Sequence, residues 1–230
     1  MNFEIDKKIN LEYRKTRIAQ YGDAVGSVGY GSVESQEARF KIVCEIDDFS
    51  NKTILDVGCG FGDLYTFLNR QSIRPRRYLG IEISSDLLDM AKKRLPELEF
   101  RLVSLLDFKS TEKFDYVIAC GVFGLESPNW QPMLEKQLGK LYDLCEMGVV
   151  ANFLSCYTSW GKAADSHYAS PEDILEFVLK NLSNRVVLRH DYRPNDFTIY
   201  VYKGNEEHDR NPAPTELSSV DRVIQQNKSV

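Results

Sequence analysis

The hydrophobic positions along the chain change their spacing near residue 52. Before this point, apolar residues recur every three or four positions, which predicts one amphipathic helix over residues 3–20 and a second over residues 34–49. The apolar positions are Ile5, Ile9, Leu11 and Ile18 in the first helix, and Phe40, Val43, Ile46 and Phe49 in the second. A glycine-rich stretch, residues 21–33, joins them, and we weigh a flexible connector against a mobile lid over a ligand.

From residue 52, short apolar strands alternate with amphipathic helices. Strands are predicted at residues 53–58, 77–83, 98–104, 114–123 and 148–155, and helices at residues 63–70, 85–95 and 131–147. Strands that are apolar throughout are typical of a parallel sheet that helices cover on both faces. The pattern therefore predicts an α/β fold with a doubly wound, mostly parallel sheet.

The end of the sheet has a different connection. Ser170 and Pro171 begin a predicted helix over residues 170–182, and strands follow at residues 185–192 and 197–203. Four residues between two strands are too few for a parallel crossover, so these strands form a hairpin. We therefore expect seven strands, with the last one antiparallel and with His190 and Tyr192 on one face of the sixth.

These patterns divide the chain into three predicted parts. Residues 1–50 form N-terminal helices with a glycine-rich lid, residues 51–203 form the main domain, and residues 204–230 form a polar, flexible tail. The tail has room for at most a short helix near residues 215–227.

Composition narrows the class of partner. The chain has 230 residues, 43% of them hydrophobic, and a formal net charge of −5, so it lacks the basic surface expected of a nucleic-acid-binding protein. No run approaches the roughly 18 apolar residues of a membrane span. Five scattered cysteines and three histidines show no metal-ligand spacing. We expect a cytoplasmic monomer or homodimer without a metal, a nucleic-acid partner or a membrane partner.

The segment ILDVGCGFGDL, residues 54–64, reads as a strand, a glycine turn and the start of a helix. Its glycines at positions 58, 60 and 62 form G-x-G-x-G, one residue shorter than the G-x-G-x-x-G of dinucleotide sites. A dinucleotide needs the helix N-terminus to face its pyrophosphate, whereas a ligand without phosphate needs only close backbone approach. The spacing favours the second kind of ligand.

Two acidic residues follow the ends of the next strands. Glu82 ends the second strand, about 20 residues after the turn, where a carboxylate is suited to bind ribose hydroxyls. Asp107 follows the third strand, where it could accept a hydrogen bond from an adenine amino group. Because parallel strands end at one edge of a sheet, the turn, Glu82 and Asp107 are expected to form one site.

At these residues the chain resembles the class I S-adenosylmethionine-dependent methyltransferases. LDVGCGFGDL is similar to the first motif of that family, GIEIS to its acidic strand end, VSLLDF to its adenine-contacting segment and FDYVIACGVF to its fourth strand. The resemblance covers residues 35–203 and implies S-adenosylmethionine as the cofactor. The cofactor-binding residues that it implies are Asp56, Gly58, Cys59, Gly60, Gly62, Glu82, Ile83, Leu106, Asp107, Cys120 and Gly121.

The resemblance also implies separate roles within this set. The residues from Gly58 to Gly62 would line the methionine moiety, and Asp56 would support the turn or bind the amino group. Leu106 and Asp107 would bind adenine, and residues 120–122 would flank the methionine. Cys59 would then be a small residue of the motif and not a nucleophile.

The methyl acceptor is less constrained by the sequence. After the fourth strand the chain has CGVFGLESP in place of the N-P-P-Y type of tetrapeptide found in methyltransferases of bases and glutamine, and no inserted domain suits a large substrate. We therefore expect a small-molecule amine, carboxylate or hydroxyl acceptor. Candidate substrate-binding residues are Tyr21, Gln36, Arg39, Phe123, Asn152, Tyr157 and His190, and candidate catalytic residues are His167 and Tyr192.

Other functions remain open at this point. The same cofactor could be cyclised or hydrolysed to methylthioadenosine, or it could bind to a non-catalytic regulatory protein. A dehydrogenase is a further alternative, which binding of NADH would support.

Overall fold

The computed structural model describes residues 3–204, so residues 205–230 of the tail, with the predicted short helix, lie outside the described residues. The helices are α1 (Glu4–Tyr21), α2 (Val33–Val43), α3 (Asp63–Arg70), α4 (Ser85–Arg94), α5 (Trp130–Leu144) and α6 (Pro171–Asn181), with a 3₁₀ turn at Val25–Val28. The strands are β1 (Thr53–Val57), β2 (Arg77–Glu82), β3 (Glu99–Leu102), β4 (Phe114–Ala119), β5 (Cys145–Leu154), β6 (Val186–Arg189) and β7 (Asp196–Tyr202).

The seven strands form one sheet in the order β3-β2-β1-β4-β5-β7-β6. Strands β1 to β5 pair in parallel, and β7 runs antiparallel between β5 and β6. The predicted fold, including the antiparallel last strand, is confirmed. The strand order reverses between β1 and β4, and in open α/β sheets ligands bind beyond the carboxyl ends of the strands at such a point.

Each face of the sheet is covered by helices. On one face Leu134, Leu138 and Leu141 of α5 share a hydrophobic cluster with Leu55 of β1. On the other face, residues of α2 and α3 surround Ile54. Both faces of β1 are thus buried, which explains why the strand is apolar almost throughout and why the carboxyl edge is left for a ligand.

Some predicted element ends were wrong. Helix α2 ends at Val43, so Ile46 and Phe49 enter the core from the segment after the helix. Strand β6 ends at Arg189, and the chain then leaves the sheet. His190 therefore packs near Phe197, on one face, while Tyr192 packs against the cluster on the opposite face, and the expectation that they share a face was wrong.

Helix α1 contacts the rest of the protein mainly through polar groups. Within α1 only Asp6 is fully buried, while Ile5 is exposed. The carboxylate of Asp6 accepts hydrogen bonds of 3.0 Å from both the backbone and the side-chain nitrogens of Asn129, just before α5. Lys7 lies 3.8 Å from Asp107. None of the described helices is long and apolar enough to cross a membrane.

Candidate functional site

The glycine turn after β1 has a backbone that side chains would disturb. Gly58, Gly60 and Gly62 all have positive φ angles, between 55° and 77°. A Cβ atom would lie 2.8 Å from the Val122 side chain at Gly58 and 2.7 Å from the Val28 side chain at Gly60. The turn therefore needs glycine for conformation and for space, and its backbone is open to close approach.

Glu82, at the end of β2, fixes this turn. Its buried carboxylate accepts hydrogen bonds from the backbone nitrogens of Gly60 at 3.1 Å, Ile83 at 2.8 Å and Ser84 at 3.1 Å. The amides of Gly58 and Cys59 also donate to the carbonyl of Ile81. The carboxylate thus joins the glycine turn to the segment between β2 and α4.

Asp56 lies within β1, two residues before the turn. It is buried, and the Tyr78 hydroxyl of the neighbouring strand donates a short hydrogen bond to it. Burial raises the pKa of the Asp56 carboxyl to about 7, although the hydrogen bond from Tyr78 acts in the opposite direction. The group is therefore partly protonated near neutral pH, and a nearby cation would favour its ionised form.

Two cysteines of the predicted site are poor nucleophiles. Cys59 is packed against Leu88 and Phe100, and burial raises the pKa of its thiol well above the ordinary value. Burial raises the pKa of Cys120 to about 12. Since the thiolate is the reactive form, neither side chain supplies a nucleophile at neutral pH. The carbonyl of Cys120 instead accepts a hydrogen bond of 3.3 Å from the Tyr30 hydroxyl.

Two adjoining cavities contain the predicted cofactor residues. The larger, about 300 Å³, lies between the ends of β2, β3 and β4 and helix α1. It is lined by Gly58, Glu82, Ile83, Leu106 and Asp107, together with Phe123 and residues of α1. The smaller is lined by Asp56, Gly58, Cys59, Gly60, Glu82, Cys120 and Gly121, together with Gln36 of α2.

The residue predicted to contact adenine is more exposed than the rest of the set. Asp107 has a 66% exposed side chain, which accepts a 2.7 Å hydrogen bond from the Ser104 hydroxyl. Leu106 beside it is half-buried. Gly62 lies at the start of α3 and lines neither cavity, because Leu95 and Phe100 pack against it.

A third cavity, of about 90 Å³, lies beside the glycine turn at the ends of β4 and β5. Its polar side chains are Tyr13, Arg14, Tyr30, Arg39, Asn152 and Ser166. Arg14 lines all three cavities, so it lies where they meet.

The predicted substrate residues divide into two groups. Arg39 and Asn152 line the third cavity, and Phe123 lines the cavity of about 300 Å³. Gln36 donates a 2.9 Å hydrogen bond to Asp63 beside the glycine turn. The structure does not bring the other three to these cavities. Tyr21 lies against Gly26, the exposed Tyr157 donates to Glu172, and His190 lies 2.7 Å from the Ser155 hydroxyl.

The two predicted catalytic residues lie outside the lining of the three cavities. The ring of His167 stacks on Trp130 at 3.5 Å, and its Nδ1 atom lies 2.8 Å from Glu126. The Tyr192 hydroxyl accepts from the Asn152 amide at 2.8 Å and contacts Thr198 at the same distance. Tyr192 therefore lies outside the third cavity and accepts a hydrogen bond from Asn152, which lines it.

Arg14 and Tyr13 were missed by the sequence analysis. The signal was present, because Asp6, Asn10 and Arg14 recur every four residues and therefore lie along one face of α1. That face lines the cavity of about 300 Å³. The spacing of apolar residues does not reveal a polar helix face that lines a cavity.

Among residues 3–204, no group of three or more histidine, cysteine, aspartate or glutamate side chains could hold a metal ion.

Comparisons with known proteins agree with this geometry. Residues 55–148, which include the turn, Glu82 and β4, match a family model described as a methyltransferase domain. A Mycobacterium tuberculosis protein, described provisionally as a methyltransferase, is 29% identical, over 72% of this chain and 99% of its own length. The malonyl-[acyl-carrier protein] O-methyltransferase of Acetivibrio thermocellus is 32% identical over 52% of this chain and 41% of its own length.

The fold is also shared with solved structures. The magnesium protoporphyrin IX methyltransferase from Synechocystis, crystallised with bound S-adenosylhomocysteine, superimposes with a TM-score of 0.61 at 15% identity. The likeness covers 86% of this chain and all of that one. Residues 55–148 thus form a methyltransferase domain, the chain has the fold of class I S-adenosylmethionine-dependent methyltransferases, and S-adenosylmethionine is its cofactor.

Proposed function

We propose that this methyltransferase transfers the methyl group of S-adenosylmethionine to a small-molecule acceptor. The observation that carries the proposal is the third cavity, which measures about 90 Å³. It adjoins the two cavities lined by the predicted cofactor residues, which we call the cofactor cavities. Helix α1, the α1–α2 loop (residues 22–32), helix α2 and the ends of β4 and β5 all contribute to its lining. A concave cavity that five segments surround suits a small organic group better than a macromolecular surface.

The residues of the glycine turn would hold the donor. Gly58 and Gly60 offer close backbone approach, Glu82 keeps the turn in place and is suited to bind ribose, and Leu106 and Asp107 are suited to adenine. Asp56 would support the turn or bind the amino group. Bound S-adenosylmethionine supplies an activated methyl group, so the protein has mainly to hold donor and acceptor in line.

The charges of the cofactor cavities support the same proposal. Asp56, Asp63 and Glu82 line the smaller cavity, and Arg14 is the one basic residue among its lining residues. An excess of carboxylates favours a cationic donor over its neutral product. Release of the product after transfer would thereby be assisted.

The division of the chain that we propose follows from these positions. Residues 51–203 would form the catalytic domain, and the described part of residues 1–50 would cover its carboxyl edge. The names of two relatives, which specify a malonyl-carrier O-methyltransferase and a protoporphyrin methyltransferase, support small organic groups as acceptors. Five cysteines, all free, support a reducing compartment such as the cytoplasm.

The experiment is a transfer assay with product identification. The protein is incubated with S-adenosylmethionine and a panel of small acids, amines and phenols, and nucleoside products are quantified by mass spectrometry. We expect S-adenosylhomocysteine to appear only when an acceptor is present. Methylthioadenosine as the main product would favour cyclisation or hydrolysis, and binding without turnover of any kind would favour a regulatory protein.

A pair of glycine variants provides the control. Gly60→Ala places a Cβ against Val28 and should abolish transfer. Gly139→Ala meets no atom within 4 Å, lies in helix α5 and should leave transfer unchanged. Equal activity of the two variants would contradict the proposed use of the turn.

A further inference from the structure

The acceptor cavity, which is the 90 Å³ cavity described above, has a charge opposite to that of its neighbours. Arg14 and Arg39 line it, and no aspartate or glutamate does. The cavity of about 300 Å³ is instead lined by four carboxylates, those of Glu4, Asp6, Glu82 and Asp107, which outnumber its two basic side chains, Lys7 and Arg14. The chain as a whole has a net charge of −5, so a cavity with only basic charges is a local exception.

Arg39 is held by a buried partner outside the cavity. Its guanidinium lies 2.7 Å from the carboxylate of Asp196, and both side chains are buried. The same carboxylate also accepts a 3.1 Å hydrogen bond from Arg193. Two guanidinium groups therefore share one carboxylate, which leaves this cluster with a net positive charge beside the cavity.

Arg14 has no such partner among the described residues. Each of the other arginines in residues 3–204 has a carboxylate or a backbone carbonyl within bonding distance, whereas the contact shown for Arg14 is with the ring of Tyr13, 5.5 Å from its centroid. A Cβ atom on Gly29 would lie 3.4 Å from Arg14 Nη1 and 3.9 Å from the Tyr13 hydroxyl oxygen. Both side chains thus reach the cavity wall at Gly29, and Arg14 is available for an anion.

The cavity also lacks a general base. Among its lining residues, Tyr30 is half-buried, and desolvation raises the pKa of its hydroxyl well above the ordinary value. Cys120 beside it is protonated for the same reason. His167 and His190 line none of the three cavities. An ammonium or a hydroxyl acceptor would have to lose a proton here without a carboxylate or an imidazole among the lining residues to accept it.

We infer that the methyl acceptor is a carboxylic acid, bound as its anion by Arg14 and methylated on a carboxylate oxygen. This inference rests on the proposed function and names its substrate class. A carboxylate is already ionised at neutral pH, so it needs no base. A guanidinium binds carboxylates through directed, charge-assisted hydrogen bonds, and when one oxygen is held the other is free to react.

The step balances without any proton. The free carboxylate oxygen forms a bond to the methyl carbon while the bond from that carbon to sulfur breaks, and its electron pair stays on sulfur. The products are a methyl ester and S-adenosylhomocysteine. The negative charge of the acceptor and the positive charge of the sulfonium cancel.

The test compares three probes that share one skeleton: 3-phenylpropanoate, 3-phenylpropanamide and 3-phenylpropylamine. Their dissociation constants are measured by calorimetry on the full chain saturated with S-adenosylhomocysteine. We expect the carboxylate to bind about tenfold or more tightly than the amide or the amine, as a charge-assisted hydrogen bond implies. A wild type without this preference, whether all probes bind equally or none binds, would overturn the inference.

Two arginine variants then test whether Arg14 causes the preference for the carboxylate probe. Arg14→Gln should bring carboxylate binding down to the level of the amide while the affinity for S-adenosylhomocysteine changes less than about twofold. Arg185→Gln, which alters a surface arginine bonded to the Lys203 carbonyl, is the matched control and should keep the preference. If Arg14→Gln instead weakens S-adenosylhomocysteine binding and keeps the preference, Arg14 serves the cofactor and the inference is wrong.

Turnover of the same probes separates the two proposals. With S-adenosylmethionine as donor, we expect methyl 3-phenylpropanoate, identified by its release of methanol in mild alkali. Methylation of the amine in place of the carboxylate would overturn this inference and leave the proposed function standing. Methylthioadenosine formed without any methylated probe would contradict both this inference and the proposed function.

Discussion

Glu82 binds three backbone amides with one buried carboxylate, so it shapes the glycine turn before any ligand arrives. Glu82→Ala leaves these amides without their partner, and each unsatisfied group costs about 1–3 kcal/mol. We expect affinity for S-adenosylhomocysteine to fall about tenfold or more in calorimetry, with a lower melting temperature. Glu99→Ala, at an exposed position on β3, should bind normally. Unchanged binding by Glu82→Ala would contradict the assigned site.

Asp56 makes stability depend on pH. Its folded-state pKa of about 7 lies above the ordinary 3.8, so the folded protein holds this proton more tightly than the unfolded chain does. The free energy of unfolding should therefore fall as the pH rises from about 4 to about 7, by up to about 1.4 kcal/mol per pH unit from this group. Above about pH 7, Asp56 is ionised in both states and causes no further change in the free energy of unfolding.

The Asp56→Asn variant isolates that effect. Asparagine keeps an acceptor for the Tyr78 hydroxyl but does not titrate. In urea titrations across this pH range, the variant should gain stability relative to the wild type as the pH rises, with a constant difference above about pH 7. A difference that stays the same at every pH would show that Asp56 titrates normally.

Single residues differ in how far the sequence could predict them. The sequence could predict that Gly58, Gly60 and Glu82 lie together, because the pattern fixes the strand ends and the glycine turn locally. Arg14 depends on how α1 lies across the sheet, which is a tertiary property. Its relevance could not be derived from spacing along the chain alone.

At the scale of secondary-structure elements, the buried pair of Arg39 and Asp196 joins α2 to β7. Arg39→Met leaves the Asp196 carboxylate with Arg193 alone, and loss of a partner from a buried pair costs about 3–5 kcal/mol. We expect about 3 kcal/mol, near the lower end, because Arg193 still contacts the carboxylate. Denaturant unfolding measures this cost.

A more exposed ion pair, which joins α2 to α3, is the control. Arg70 lies 2.6 Å from Glu37 of α2, with a 56% exposed side chain. Arg70→Met should cost less than about 1 kcal/mol, as exposed ion pairs do. Similar losses for both arginine variants would mean that burial does not set the strength of the pair that joins α2 to β7.

Helix α1 is held over the cavities by Asp6 and Asn129. Asp6→Ala removes both hydrogen bonds and should speed amide hydrogen exchange across residues 4–21, with little change in the sheet. Glu12→Ala, at an exposed position of the same helix, should exchange like the wild type. Equal exchange in the two variants would show that other contacts hold α1 in place.

The elements themselves were largely predictable, and their ends were not. Alternation of strands and helices, with a four-residue link before β7, was sufficient for the topology. The end of β6 at Arg189 could not be predicted, because His190 and Tyr192 continue the alternating pattern after the chain has left the sheet. Helix α1 was predicted correctly from its helical period, but the apolar residues of α1 do not form its buried face.

At the scale of the whole molecule, the carboxyl edge of the sheet separates two kinds of charge. Carboxylates predominate around the cofactor cavities, and arginines alone provide the charges that line the acceptor cavity. Arg14 lies at their junction. A cationic donor and an anionic acceptor would then each meet an environment of opposite sign, and both charges would be lost in the reaction.

The most direct test is a crystal structure of the chain with S-adenosylhomocysteine. Its ribose should lie against Glu82, its methionine part against Gly58 and Gly60, and its sulfur should face the cavity that Arg14 and Asn152 line. A nucleoside bound away from Glu82, or a sulfur atom separated from that cavity, would contradict both the cofactor site and the proposed acceptor site.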